Sequence, residues 1–180
     1  SIRDAFMAEG QGMTLPKLGF GTWKLEGDDA CDAVAHAVHT GYRHIDTAQI
    51  YGNEMEVGAG LARGLRETGL LREDVFLTTK VWMDRVARDK LSASVEASLE
   101  RLKTDYVDLL LLHWPVEDTP LAEQIGALQS VRRRGLARHV GLSNYTTQLL
   151  GEAAAVSDGP LAANQVEYHP FLDQAPVLTA

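Results

Sequence analysis

Six short apolar segments recur along this 180-residue chain, and their spacing restricts the possible folds more than any other feature. They are Leu18–Thr22, His44–Asp46, Val75–Lys80, Val107–His113, His139–Ser143 and Ala163–Val166, with starts roughly 25 to 32 residues apart. That is about the length of one strand-plus-helix unit. Stretches of helical period lie between them. Ala30, Val34, Ala37 and Val38 share one face ahead of Gly41. Leu91, Val95, Leu99 and Leu102 step by four, four and three, which puts them on one side of a helix. Leu121, Ile125, Leu128 and Val131 do the same, with Pro120 suited to a first turn and Gly135 to a stop.

Strands that alternate with helices pair in parallel through right-handed crossovers. Two closures fit: an open doubly wound sheet or an eight-stranded barrel. The open sheet usually carries a glycine-rich phosphate turn directly after its first strand. Here Gly19-Phe20-Gly21 runs into Thr22-Trp23-Lys24 without a third glycine. Gly58-Ala59-Gly60, with Gly64, falls inside a helical pattern that no strand precedes. The expected fold is therefore of the α/β class, a (β/α)8 TIM barrel. Eight units occupy about 250 residues, so a chain of this length supplies about the first six. Residues 173–180 read as the start of a sixth helix without a C-cap. The expected organisation is a leader over residues 1–12 and a barrel domain over 13–180 that is incomplete at its C-terminal end.

Charge and cysteine content exclude several classes of function. Lys plus Arg number 17 against 25 Asp plus Glu, a formal net charge of −8. Such a surface repels phosphate backbones, and the one basic run, Arg132-Arg133-Arg134, suits the negative end of a helix dipole. No nucleic-acid partner is expected. The single Cys31 allows no internal disulfide and no multi-cysteine zinc site, and fits a cytoplasmic protein. No apolar run approaches the ~18 residues of a membrane span. No histidine pair has metal-ligand spacing with a carboxylate, so no metal is expected. The expected state is a cytoplasmic monomer that acts on a small molecule.

In a barrel of this kind the chemistry sits where each strand passes into its following loop. Those positions hold Thr22-Trp23, Asp46, Lys80-Val81-Trp82, His113-Trp114, Ser143-Asn144 and Gln165, and they include all three tryptophans of the chain. Opposite charges in a dry barrel mouth need each other, so an Asp46–Lys80 pair beside His113 is the economical arrangement. Tyr51 follows Asp46 by five residues. A phenol beside an ammonium loses its proton more readily, and a carboxylate behind the ammonium keeps it charged. Such a phenol can protonate a carbonyl oxygen, with a neutral imidazole donating to the same oxygen. No side chain supplies hydride; a nicotinamide does.

Each position also has a purely structural reading. Asp46–Lys80 can be a buried ion pair, His113 a core histidine, and Tyr51 a cover for the barrel rim. Ser143-Asn144 can cap the helix starting near Thr146, and the tryptophans can close the barrel end. Arg43 and Glu54 read as structural hydrogen-bond partners, and His36 and His39 as lying on a solvated helix face.

The motifs settle between these readings by resemblance. Gly41-Tyr42-Arg43-His44-Ile45-Asp46-Thr47-Ala48, then Tyr51, Asn53-Glu54 and Gly58, resembles the first signature of the aldo-keto reductases. Leu18–Trp23, Thr78–Trp82, Asp105–Leu109, His113-Trp114-Pro115, Gly141–Tyr145 and Asn164–Pro170 are similar to the family's other blocks, in order. The resemblance implies Asp46, Tyr51, Lys80 and His113 as a catalytic tetrad with Tyr51 as general acid. It implies Ser143, Asn144 and Gln165 against the nicotinamide carboxamide, and Thr22 and Asp46 beside the nicotinamide ribose. Trp23, Trp82 and Trp114, joined by Ile50, are implied as walls of the substrate pocket. NADPH is the implied cofactor, by analogy alone, since the family grips the 2′-phosphate with residues after the eighth strand. Asp46–Tyr51, Asp89-Lys90-Leu91 and Thr104–Leu109 look most like the bacterial 2,5-diketo-D-gluconate reductase branch. The implied reaction is reduction of an aldehyde, ketone or keto-sugar acid. Two alternatives are a Schiff-base aldolase working through Lys80 and a non-catalytic cofactor-sensing subunit.

Overall fold

A computed structural model describes residues 13, 15–16, 19–82 and 88–164. Six strands, β1 (Gly19–Gly21), β2 (His44–Asp46), β3 (Phe76–Val81), β4 (Val107–Leu112), β5 (Ala137–Ser143) and β6 (Ala162–Asn164), form one sheet. Five helices connect them: α1 (Gly27–Thr40), α2 (Glu54–Thr68), α3 (Arg88–Leu102), α4 (Leu121–Arg133) and α5 (Thr147–Val156). Short 3-10 turns lie at Gln49–Tyr51 and Arg72–Asp74. Residues 1–12, Gln165 and the expected sixth-helix segment 173–180 lie outside the described residues.

Every strand is parallel to its neighbour, and the spatial order is the chain order, β1 through β6. A doubly wound sheet reverses its strand order at a switch point, whereas a barrel adds each strand beside the last. The sheet therefore follows barrel order, as its missing phosphate turn implied. Both faces are covered, which is why the strands read as continuous apolar runs. Leu110, Leu112, Val140 and Leu142 face the helices and join their buried stripes. Leu109 and Leu111 face the other way and form a second cluster with Met13, Leu15, Phe76 and Ala162.

The helical faces read from the sequence are the buried ones. Val34 and Val38 of α1, Leu91 and Val95 of α3, and Leu128 and Val131 of α4 are all fully buried. Gly41 ends α1 in the left-handed region at φ 105°. The glycines of α2 serve packing. A Cβ on Gly58 would lie 2.6 Å from the Leu102 backbone, and one on Gly60 would lie 2.4 Å from the Cys31 carbonyl oxygen. Their small size lets α2 lie against α1 and α3, which accounts for a glycine series with no strand before it.

One expectation is corrected. Ser143-Asn144 does not cap the following helix: Thr146 does, its side chain accepting from the Leu149 amide at 3.2 Å. Asn144 is instead left-handed at φ 61°, not in the extended conformation typical of an N-cap. At the opposite ends of the strands Arg72 ties β3 to β4, donating to the Val75 and Tyr106 carbonyls and to Asp108. Asp108 in turn accepts from the Leu77 amide at 2.9 Å. Among the described residues no helix is long and apolar enough to cross a membrane.

Candidate active site

Strand register brings the charged groups together. Asp46 is paired with Thr78, so Lys80, two residues further along β3, projects on the same face. Lys80 is paired with Leu111, and His113 stands two residues beyond that, its amide donating to the Val81 carbonyl at 3.1 Å. Three adjacent strands thus deliver a carboxylate, an ammonium and an imidazole to one end of the sheet. Lys80 Nζ lies 2.5 Å from Asp46 Oδ1.

Tyr51 enters from the loop after β2. The 3-10 turn Gln49–Tyr51 carries it, and Gly52 ends that turn at φ 68°, a conformation glycine adopts without strain. The Lys80 ammonium lies 5.5 Å from the Tyr51 ring centre, and the His113 ring meets the Tyr51 ring edge-on at 6.3 Å. Trp82 meets His113 edge-on at 5.7 Å, and Trp114 stacks on it at 6.1 Å with 12° between the planes. All four tetrad positions and two of the expected pocket residues therefore form one cluster. Trp23 and Ile50 lie apart from that ring stack. Trp23 is 63% exposed with the Lys24 ammonium over its ring, and Ile50 is 48% exposed.

The loop is anchored on both sides of Tyr51. Asn53 Nδ2 donates to the Thr22 and Leu25 carbonyls at 2.8 and 2.9 Å, and Thr47 donates to Asn53 Oδ1 at 3.3 Å. Glu54, only 2% exposed, accepts from Thr79, Ser98 and Arg101, so its structural reading agrees with its surroundings. Arg43 likewise donates to the Val38 and Tyr42 carbonyls. Sequence reasoning passed over Gln49. Its side chain accepts from the Trp82 amide and donates to Ser94 and Ser98 of α3. Its serine partners stand four apart on a helix whose apolar stripe lies on an adjacent face, but nothing in the sequence ties them to Gln49.

The described members of the expected cofactor set stand at the ends of the same sheet. Thr22 is fully buried and donates through Oγ1 to the Asp46 carbonyl at 3.0 Å. Asn144 Nδ2 donates to the His113 carbonyl at 2.9 Å and to Ser143 Oγ at 3.2 Å. Those bonds use the amide nitrogen of Asn144 and a lone pair of Ser143. Its Oδ1 acceptor and the Ser143 hydroxyl proton are the complementary pair that a primary carboxamide requires. The donor set therefore fits a nicotinamide. Gln165 lies outside the described residues. Tyr145 is a separate tyrosine: its hydroxyl donates to Gln124 at 2.8 Å, and burial pushes its pKa well above the ordinary phenol value.

A profile described as the aldo/keto reductase family matches residues 17–180. The chain belongs to that family. Among its relatives, methylglyoxal reductase DkgB of Escherichia coli O157:H7 is 41% identical over 169 residues, covering 92% of this chain and 62% of its own length. A crystal structure named for 2,5-diketo-D-gluconic acid reductase B is 54% identical with a TM-score of 0.83, over 92% of this chain and 57% of that one. The Bombyx mori aldo-keto reductase, solved in complex with NADP, is 33% identical with a TM-score of 0.86, over 94% and 60%. The chain spans about three fifths of the length of the curated relatives it matches.

Proposed function

We propose that the protein reduces small carbonyl compounds with NADPH and that Tyr51 protonates the carbonyl oxygen. The observation that carries this reading is the meeting of Tyr51, Lys80, Asp46 and His113 at the ends of three adjacent strands. When bound, the cofactor supplies hydride to the carbonyl carbon. As negative charge grows on the oxygen, the Tyr51 hydroxyl gives up its proton to it, leaving an alcohol and a phenolate. Lys80 stabilises that phenolate, and Asp46 holds the Lys80 ammonium in place through the 2.5 Å ion pair. His113 orients the carbonyl by donating to the same oxygen. Thr22 and Asp46 would hold the nicotinamide ribose, and Ser143 and Asn144 its carboxamide, with Gln165 assigned to the carboxamide by the family resemblance alone. Trp82 and Trp114 wall the substrate, and Trp23 and Ile50 form its outer rim.

The substrate class is supported by the relatives named for methylglyoxal and for 2,5-diketo-D-gluconic acid. Both are small, oxygen-rich dicarbonyl compounds, and a diketo sugar acid is the preferred candidate. An aldolase working through Lys80 is disfavoured by the 2.5 Å ion pair, because an ammonium has no lone pair with which to form an imine. The test is loss of reduced-nicotinamide absorbance with a panel of such carbonyls, for the parent and for Tyr51→Phe. The variant should lose turnover while retaining cofactor affinity. Equal turnover in the two would overturn the assignment of the acid.

A further inference from the structure

Gln49 lies two residues before Tyr51 on the same 3-10 turn and has no part in the proton and hydride chemistry above. Its amide reaches two other elements at once. Oε1 accepts from the Trp82 backbone amide at 3.1 Å. Nε2 donates to Ser94 Oγ at 2.7 Å, to Ser98 Oγ at 3.0 Å and, more weakly, to the Ser94 carbonyl at 3.3 Å. The Trp82 amide can only donate and the Ser94 carbonyl can only accept, so the orientation of the Gln49 amide is dictated by its surroundings.

The connection falls where it matters for the site. Trp82 is two residues past Lys80, and its indole meets His113 edge-on. One amide therefore couples the turn bearing Tyr51 to the strand end bearing Lys80. The turn's own backbone bonds, Tyr51 to Ala48 and Gly52 to Gln49, are internal and set no distance to β3. Helix α3 does not depend on Gln49 for its attachment. Leu91, Val95, Leu99 and Leu102 are buried beneath it, and Glu54 grips Ser98 and Arg101. Loss of the amide should thus leave the fold standing and displace Tyr51.

We propose that Gln49 is a positioning residue that sets the Tyr51 hydroxyl relative to Lys80 and the Trp82–His113 wall, a role that rests on the reductase reading. Gln49→Met keeps the side-chain volume and removes both bonding functions. Gln49→Glu keeps an acceptor for the Trp82 amide and sets a carboxylate oxygen against the Ser94 carbonyl. The experiment follows NADPH oxidation by the full chain with methylglyoxal as probe, alongside NMR of the chain labelled with 13C in its tyrosine rings. Tyr51→Phe identifies the Tyr51 signal.

In Gln49→Met, kcat should fall about 10- to 100-fold, as expected for a displaced reacting group, with KM for NADPH within about threefold of the parent. Gln49→Glu should recover part of that loss. The Tyr51 ring signal should shift in Gln49→Met, and the Trp82 amide should lose about tenfold or more of its hydrogen-exchange protection. An unchanged kcat with an unmoved Tyr51 signal overturns the proposal, as does a fall in kcat that only follows loss of folded protein. If the parent oxidises no NADPH, the reductase reading fails separately. The Tyr51 signal then still decides the positioning role: a shift supports it and no shift overturns it.

Discussion

The Lys80 side chain is 8% exposed, while the Asp46 side chain that it meets at 2.5 Å is 27% exposed. The two ends of this pair therefore depend on each other unequally. Removing the carboxylate strands an ammonium with almost no water, whereas removing the ammonium leaves a carboxylate that water still reaches. Asp46→Asn should cost about 2–4 kcal/mol of stability, and Lys80→Met about 1 kcal/mol or less. Urea unfolding of the two variants measures this directly. Equal costs, or the reverse order, would show that the barrel mouth solvates both groups alike.

Gly58 and Gly126 make a second contrast, because the same substitution should act with opposite sign. A Cβ at Gly58 meets the Leu102 backbone at 2.6 Å, and backbone cannot move aside as a flexible side chain can. Gly58→Ala should therefore separate α2 from α3 and cost about 1–3 kcal/mol, despite the better helix propensity of alanine. Gly126 lies within α4, and a methyl group added there would meet nothing within 4 Å. Gly126→Ala should stabilise by about 0.5–1 kcal/mol. Thermal melts of both variants check the pair; two shifts of the same sign would contradict the packing argument.

Asn144 combines a strained backbone with a side-chain bond, and two substitutions separate them. At φ 61° a residue with a Cβ pays a conformational penalty that glycine avoids. Asn144→Gly and Asn144→Ala both lose the bond to the His113 carbonyl. The alanine variant should be less stable than the glycine variant by about 1 kcal/mol. Under the proposed function both should weaken cofactor binding to a similar degree, since both remove the same Oδ1. Calorimetric titration with NADPH and urea unfolding together report the two effects; cofactor affinity that tracks stability alone would count against the contact.

Local pattern carried much of this structure. The stripe of Leu91, Val95 and Leu102 announces its own burial, because helical period is written in adjacent residues. Asp46, Lys80 and His113 were legible as strand-end groups, and parallel register then requires them to share a face. Gln49 was not legible, because its serine partners lie 45 and 49 residues away and nothing in a polar side chain's neighbours names a distant acceptor. Arg72 was missed for the same reason: Tyr106 and Asp108 lie more than 30 residues on. Ser143-Asn144 was open to misreading as a cap because serine and asparagine favour caps and left-handed turns alike. Only the backbone path, with Thr146 three residues before Leu149, distinguishes them.

His44 gives the fold a dependence on pH. It lies on β2 two residues before Asp46, edge-on to Phe76 at 5.3 Å, with Nε2 3.0 Å from Thr78 Oγ1. Burial lowers its pKa below the ordinary 6.5, with Asp46 opposing the shift, Lys80 reinforcing it and Asp108 opposing it. His139 on β5 is lowered for the same leading reason. A histidine whose folded pKa lies below its unfolded one favours folding fully above the unfolded value, and that contribution is lost as pH falls through the folded value. Stability should therefore be level above roughly pH 7 and decline from about pH 6.5 downward. His44→Gln retains a partner for Thr78 but does not titrate, so its stability should decline less over the same range. Urea midpoints for parent and variant at roughly pH 7.5 and 5.5 test this, since the window brackets the histidine value and stays above the carboxylates. Parallel losses in the two proteins would mean that the acid sensitivity arises elsewhere, with His139 the next residue to substitute.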